Sequence, residues 1–288
     1  MQVTMLSEVR ERPRRVAVGE FDGVHLGHRE VIRGSDTVLT FEPHPLRVVR
    51  PEAAPKLLTS LGAKAELIEA LGVDELVVIP FDDGFAHQTS EEFIDHILVD
   101  RLRSTRVSVG ENFRFGHKAA GDPGRLAADE RFETRVVPLV EVDGEIVSSS
   151  HIRGLVLAGE VEIARRFLGA PFRLRGEVVK GDQRGRTLGF PTANIVPDEA
   201  LVCPGHGIYA ARTDAACAAV SIGVRPTFGT GRALLVEAYL LDFDGDLYGR
   251  MLRIDFLARL RGERRFESPD ALVEQMRRDV ERTRELCK

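Results

Sequence analysis

Val16-Ala17-Val18-Gly19-Glu20-Phe21-Asp22-Gly23-Val24-His25-Leu26-Gly27-His28 decides the architecture of the first half of this chain. Residues 16–18 are a short apolar run that reads as a strand. A glycine-rich loop follows directly and opens into a helix. The glycines let the backbone pass close to a ligand, and a helix start offers free N–H groups and the positive end of a dipole. Gly19, Phe21, Asp22, Gly23 and Gly27 thereby become candidate nucleotide-binding positions, with His25 and His28 as donors to phosphate oxygens. A bare H-x-x-H also suits surface histidines or a metal pair. No Glu or Cys stands at zinc-type spacing, so the strand–loop–helix setting favours phosphate.

Outward from this stretch, residues 37–41, 76–79, 106–109 and 135–137 read as further strands. Residues 63–71 and 90–102 have helical spacing. Thr89 and Glu92 form a capping box, with Phe93, Ile97 and Leu98 behind it on one face. Strands alternating with helices imply a parallel α/β sheet, whose ligands lie beyond the carboxyl ends of the strands. Residues 152–158 and 161–168 read as two helices, and Gly169-Ala170-Pro171 breaks the pattern. The expected domains are therefore 1–168 and 172–288. In the second, short alternating strands dominate, at 172–179, 208–212, 219–224, 234–241 and 251–256, and Asp244-Gly245-Asp246 is a hairpin signal. The expectation is a small antiparallel β-barrel. A terminal helix follows, with Ser268 as N-cap, Pro269 at its first position, and Leu272, Met276 and Val280 as a core-facing stripe.

The 288 residues are 43% apolar and 30% charged, a soluble globular composition. A net charge of −5 argues against a nucleic-acid protein. No run of eighteen apolar residues spans a membrane, and residues 1–15 lack the apolar core of a signal peptide. Cys203, Cys217 and Cys287 are odd in number without a C-x-x-C, so neither a disulfide framework nor a zinc site follows, and reduced thiols in a cytoplasmic protein are the simplest account. Oligomeric state is not legible.

The second chemistry-bearing stretch is Gly185-Arg186-Thr187-Leu188-Gly189-Phe190-Pro191-Thr192-Ala193-Asn194. Thr192 and Asn194 are two apart, so on an extended segment they point the same way. They are either part of an ordinary turn entering a strand or two neutral oxygen ligands for a hard cation such as Mg²⁺. Upstream, Val178-Val179-Lys180-Gly181-Asp182 ends a strand, and Lys180 is either a solvated lysine or a phosphate ligand. No Walker A loop and no G-x-G-x-x-G fingerprint occurs. Glu237, in Val236-Glu237-Ala238-Tyr239-Leu240-Leu241-Asp242-Phe243, sits inside an apolar strand beside Leu235, Tyr239 and Leu241. It is either a paired structural charge or a general base whose pKa burial would raise.

Both halves resemble one family. The Gly19–His28 string is similar to the H-x-G-H nucleotidyltransferase motif of prokaryotic FAD synthetases. Thr40-Phe41-Glu42-Pro43-His44-Pro45, Gly110-Glu111-Asn112-Phe113-Arg114-Phe115-Gly116 and Ser148-Ser149-Ser150-His151-Ile152-Arg153 resemble its further segments in the same order. The G-R-x-L-G-F-P-T-A-N and V-E-x-x-L-L-D-F strings resemble riboflavin kinase. The chain is thus similar, over roughly 16–280, to the prokaryotic bifunctional riboflavin kinase/FAD synthetases.

The resemblance implies a Rossmann-like nucleotidyltransferase domain that adenylylates FMN to FAD, releasing pyrophosphate. It also implies a barrel that phosphorylates riboflavin, with ATP and Mg²⁺ serving both. It makes Glu237 the base, with His25 and His28 catalytic. It places the nucleotide on Ser149, Ser150, Arg153, Lys180, Gly181, Arg186 and Gly189 as well as the first loop. It places the flavin on Pro43, His44, Pro45, Asn112 and Arg225, and Mg²⁺ on Thr192 and Asn194. Two departures stand out: the connection from His28 to Thr37 is shorter than the family's, and His151 stands where a threonine is common. The rival expectations are a kinase-only enzyme with an inactive first domain and a non-catalytic flavin-binding regulatory protein.

Overall fold

The computed structural model describes residues 1–181, 190–227 and 231–288, with the side chains of 224–227 and 231–233 outside that description. Arg186 and Gly189 therefore lie outside the described residues, as does the side chain of Arg225. The described chain divides into two compact units, Met1–Ser149 and Ser150–Lys288. The division precedes the break at Gly169-Ala170-Pro171, because the helix Val161–Leu168 packs on barrel strands of the second unit.

The strands of the first unit's main sheet are β1 (Gln2–Met5), β2 (Arg14–Val18), β3 (Thr37–Glu42), β4 (Glu75–Pro80), β5 (Ser104–Gly110) and β6 (Glu133–Val137). They form one sheet in the order β1-β4-β3-β2-β5-β6, every pairing parallel. The central strands send alternate residues to two cores. Val16, Val18, Leu39, Val77 and Val107 face Phe93 and Leu98 on one side. Ala17, Val38, Leu76 and Val78 face Ile32 and Ile68 on the other. Sheets covered on both faces give continuous apolar strands rather than alternating ones. The capping box at Thr89–Glu92 is present and leads into a helix that continues with wider turns over Phe93–Arg101. Of the six strands of this sheet, β1 is the one the sequence reading did not identify. β1 is a short edge strand in which Thr4 alone is buried, so it shows no hydrophobic pattern.

The strand order runs outward from β2 in both directions, through β3 and β4 on one side and β5 and β6 on the other. The loop after β2 therefore opens at the switch point of the sheet, where ligands of open α/β sheets bind. A two-stranded ribbon, β7 (Glu141–Val142) and β8 (Glu145–Ile146), closes this unit.

The second unit holds a closed barrel of β9 (Phe172–Val179), β10 (Ala193–Pro197), β11 (Gly207–Thr213), β12 (Cys217–Thr227), β13 (Gly231–Leu240) and β14 (Met251–Arg261), ordered β10-β13-β12-β11-β14-β9. Three expectations are corrected here. Asp244-Gly245-Asp246 lies in a connection between β13 and β14, which are not paired, so it makes no hairpin. Arg259 and Arg261 belong to β14: Arg259 donates to the His206 carbonyl at 2.7 Å, and Arg261 forks onto Asp279. The terminal helix Pro269–Leu286 buries Asp279 and Thr283, while Leu272, Met276 and Val280 are only half-buried. That helix is thus seated by a buried ion pair more than by its apolar stripe. Cys217 and Cys287 are joined in a disulfide with Cα atoms 6.3 Å apart, against the expectation of reduced thiols. Cysteine count and spacing carry no information about which strand a distant helix end meets.

Candidate active sites

In the first unit the site is built by the turn from β2 into the helix Leu26–Ile32. Phe21, Gly23 and Val24 all have positive φ, at 51°, 84° and 42°. A β-branched residue at positive φ is strained, and such strain persists only where surroundings fix it. The fixing group is Asp22. Its carboxylate accepts N–H bonds from Leu58 at 2.8 Å and Thr59 at 3.0 Å. Thr59 also accepts from the Gly23 N–H at 3.0 Å, and the Ser149 hydroxyl donates to the Asp22 carbonyl at 2.9 Å. Asp22 is therefore a scaffold of the loop rather than a free anion.

His25 caps the helix, its Nδ1 accepting the His28 N–H at 3.2 Å. The two imidazoles stack with centroids 3.5 Å apart, and Phe21 meets His28 edge-on. Gly27 keeps this stack possible, since a Cβ there would stand 3.3 Å from the His25 ring. Burial pushes His25 down to about 4. Burial, then His25 and Lys64, push His28 well below its ordinary value. Both rings are neutral near pH 7. With Nδ1 of His25 accepting, its proton sits on Nε2, which becomes a donor aimed away from the cap. Nδ1 of His28 is buried without a hydrogen-bond partner.

Flanking segments come from neighbouring strand ends. Pro43, His44 and Pro45 follow β3, with a cis bond at Glu42–Pro43 and His44 Nδ1 accepting the Leu46 N–H. Asn112 is exposed just after β5, against Gly110. Gly19 packs against the Phe21 ring. In the second unit, Ser150 and Arg153 share the first turns of the helix Ser149–Ala158, Arg153 donating to the Ser150 hydroxyl at 3.4 Å.

The barrel carries the other candidate site. Asn194 on β10, Glu237 on β13 and Ser221 on β12 stand in one cross-strand row. Directly opposed residues of neighbouring strands have Cβ atoms about 5 Å apart. Val236 and Ala238 fill the interior, so the row lies on the outer face, where Glu237 is half-buried. Asn194 is only 8% exposed. Gly181, just beyond β9, lies so close to Asn194 that a Cβ would stand 2.5 Å from its Oδ1. Thr192, Tyr239, Leu240, Asp242 and Tyr248 are among the residues lining an adjoining cavity of about 600 Å³. Phe190 covers Tyr239 edge-on at 5.1 Å. Lys180 is exposed. Among the described residues no three His, Cys, Asp or Glu side chains are placed to hold a metal. Any cation here would rely on neutral oxygens, Glu237 and phosphate.

The sequence reading missed four contributors. Ser221 gave no signal, being one small polar residue in an alternating strand. Thr59 gave none either. Glu20 lay within the decisive stretch but was not singled out. Lys64 reads as a surface lysine, yet it stands four residues before the buried Ile68, on the same helical face.

The chain matches two protein families, FAD synthetase over residues 7–151 and riboflavin kinase over residues 168–287. It is 38% identical to the bifunctional riboflavin kinase/FMN adenylyltransferase of Listeria monocytogenes, over 93% of this chain and 91% of that one. It is 35% identical to the protein of the same name from Escherichia coli K12, over 97% and 95%. A crystal structure from Streptococcus pneumoniae named as a macrolide-efflux protein superposes with a TM-score of 0.90 at 30% identity, over 99% of both chains. Among the described residues no helix is long and apolar enough to cross a membrane. With both halves matched in order and near-full-length relatives of one name, the chain belongs to the bifunctional riboflavin kinase/FMN adenylyltransferase family.

Proposed function

We propose that the Gly19–His28 loop carries adenylyl transfer and that the Asn194–Glu237 face of the barrel carries riboflavin phosphorylation. The enzyme converts riboflavin to FMN with ATP, then FMN to FAD with a second ATP, releasing pyrophosphate. The domains are assigned as 1–168 for adenylylation and 172–288 for the kinase. The cytoplasm is the proposed location.

The two steps need different machinery. In adenylyl transfer, a phosphate oxygen of FMN attacks the α-phosphorus of ATP and pyrophosphate departs. That phosphate is already ionised at neutral pH, so no base is required. Positioning and charge stabilisation suffice. Neutral His25 suits this role, its Nε2–H donating to a phosphate oxygen while Nδ1 is locked in the cap. Gly19, Gly23 and Gly27 permit close backbone approach, and Ser149 steadies the loop through Asp22. Roles for Ser150 and Arg153 on phosphate, and for Pro43, His44, Pro45 and Asn112 on flavin, rest on the resemblance.

Riboflavin presents an alcohol, which must lose a proton as it attacks the γ-phosphorus. Glu237 is the group assigned to take it. The observation that carries this is the Asn194–Glu237 pairing, with Gly181 packed against the amide. It puts a carboxylate and a neutral oxygen ligand side by side at the end of the strand leading to Lys180. Thr192 and Asn194 would hold Mg²⁺, which when bound screens the phosphate charge. Arg186, Gly189 and Arg225 keep their assigned ligand roles on the resemblance.

A pair of variants tests the division. Glu237→Gln should lose about 10²- to 10⁴-fold in FMN formation while supplied FMN still becomes FAD. His28→Ala should show the converse. A Glu237→Gln enzyme with wild-type kinase rates, or both steps failing together in either variant, would overturn it.

A further inference from the structure

Beneath the Gly19–His28 loop lies a lysine that the resemblance does not assign. Lys64, on the helix Leu61–Glu69, is only 3% exposed. Its Nζ donates to Thr40 Oγ1 at 3.3 Å. Thr40, fully buried on β3, donates in turn to the backbone carbonyl of Glu20 at 3.2 Å. The ammonium is thus tied through one hydroxyl to the loop itself. It also lies within electrostatic reach of both the Glu20 carboxyl and the His28 ring.

The charges around it are unequal. The Glu20 carboxyl interacts with Lys64, and also with Asp22 of the same loop and Glu42 at the end of β3. Asp22 is occupied by the Leu58 and Thr59 N–H groups. Oε1 of Glu20 is buried with no hydrogen-bond partner, an unfavourable place for a full negative charge. Burial, with Asp22 and Glu42 adding to it against Lys64, pushes Glu20 up to about 8. At neutral pH the carboxyl keeps its proton, and the ammonium has no ionised Glu20 to cancel it.

We infer that Lys64 is a positioning residue of adenylyl transfer, a buried cation that holds the loop through Thr40 and adds positive potential for the nucleotide phosphates, and that ionisation of Glu20 cancels that potential. A charge in a water-poor site acts more strongly on a developing anion than one at the surface. The same burial makes its neutralisation costly to the reaction. This rests on the adenylyl-transfer reading of the loop. The sign follows directly: adenylylation is supported while Glu20 is protonated and declines as pH rises through its pKa.

The test uses the full-length chain, FMN and MgATP, with kcat and KM for FAD formation measured from pH 6 to 9.5. Riboflavin phosphorylation by the same preparations controls for assay failure at each pH. Wild-type kcat/KM should fall about tenfold between about pH 7 and about pH 9, as a single ionisation requires. Glu20→Gln, which cannot ionise, should vary less than about twofold over that range. Lys64→Met should be low by roughly tenfold or more at pH 7 and insensitive to pH, while Lys64→Arg recovers most of the rate. A purely structural lysine would not link its loss to the alkaline limb. An alkaline limb that persists in Glu20→Gln would overturn the inference, as would wild-type kinetics in Lys64→Met. Should Lys64→Met fail to fold, the Glu20→Gln profile decides alone. A wild-type protein that makes no FAD at any pH would instead overturn the underlying assignment of the loop.

Discussion

Replacing Gly181 by alanine should damage one of the two activities and spare the other. The new Cβ would lie 2.5 Å from Asn194 Oδ1, and Nδ2 and Cγ of the same amide are closer still. All three amide atoms are involved, so rotating the carboxamide gives no escape. Reaching an ordinary contact of 3.4 Å with the nearest atom, Nδ2 at 2.2 Å, requires a shift of about 1.2 Å (3.4 − 2.2). Asn194 is 8% exposed, and its strand is paired on both sides, with Val179 and with Glu237. The displacement must therefore pass into the catalytic row. A misplacement of about 1 Å costs on the order of 10²-fold in rate, equivalent to about 2.7 kcal/mol of transition-state stabilisation. Overpacking should also cost about 1–3 kcal/mol of stability in the second unit. The assay is steady-state FMN formation from riboflavin, beside FAD formation from supplied FMN, with a thermal melt. Wild-type kcat/KM for FMN formation would refute the reasoning, because it would mean that the Asn194 amide is not held in a productive place.

Three further outcomes are expected. Because burial holds His25 at about 4 against 6.5 for the free group, the folded state disfavours its protonation. Stability from this group is complete above about pH 6.5 and declines towards pH 4 by about 3 kcal/mol, so a His25→Gln variant should lose about that much less than wild type in melts across that range, the decline due to His28 remaining. Arg261→Ala leaves Asp279, 6% exposed, without its forked partner; it should destabilise the protein by about 3–5 kcal/mol in denaturant titration, and a loss under 1 kcal/mol would contradict the seating of the terminal helix. Thiol titration of the denatured, unreduced protein should count Cys203 alone, and reduction of the Cys217–Cys287 bridge, which spans 70 residues, should lower stability by up to about 4 kcal/mol.

Much of the architecture was legible because it rests on local pattern. Apolar strands alternating with helical spacing specify a parallel sheet, and short alternating strands after Gly169-Ala170-Pro171 specify a barrel. What was not legible depends on pairing across distance. β1 carries one buried residue and hence no periodicity. Asp244-Gly245-Asp246 announces a chain reversal without saying which strand lies alongside. Val161–Leu168 is a sound helix by sequence, yet which unit it packs against is a tertiary fact. The sites divide the same way. His25, His28, Thr192, Asn194 and Glu237 announce themselves by spacing and by polar character in apolar surroundings. Lys64, Thr59 and Ser221 act through neighbours from other elements, and nothing near them in sequence marks the part they play. The half-buried outer face of β13 also differs from what a Glu in an apolar strand suggests, since the alternate residues Val236 and Ala238 fill the interior instead.

The most direct test is a time course of the purified protein with riboflavin, ATP and Mg²⁺, the flavins being separated by chromatography and read by fluorescence. FMN that rises first and then gives way to FAD is the predicted result. FMN that accumulates without FAD, even when FMN is supplied, would contradict the adenylyl-transfer half. No product at all, beside an active control enzyme in the same buffer, would contradict the account as a whole.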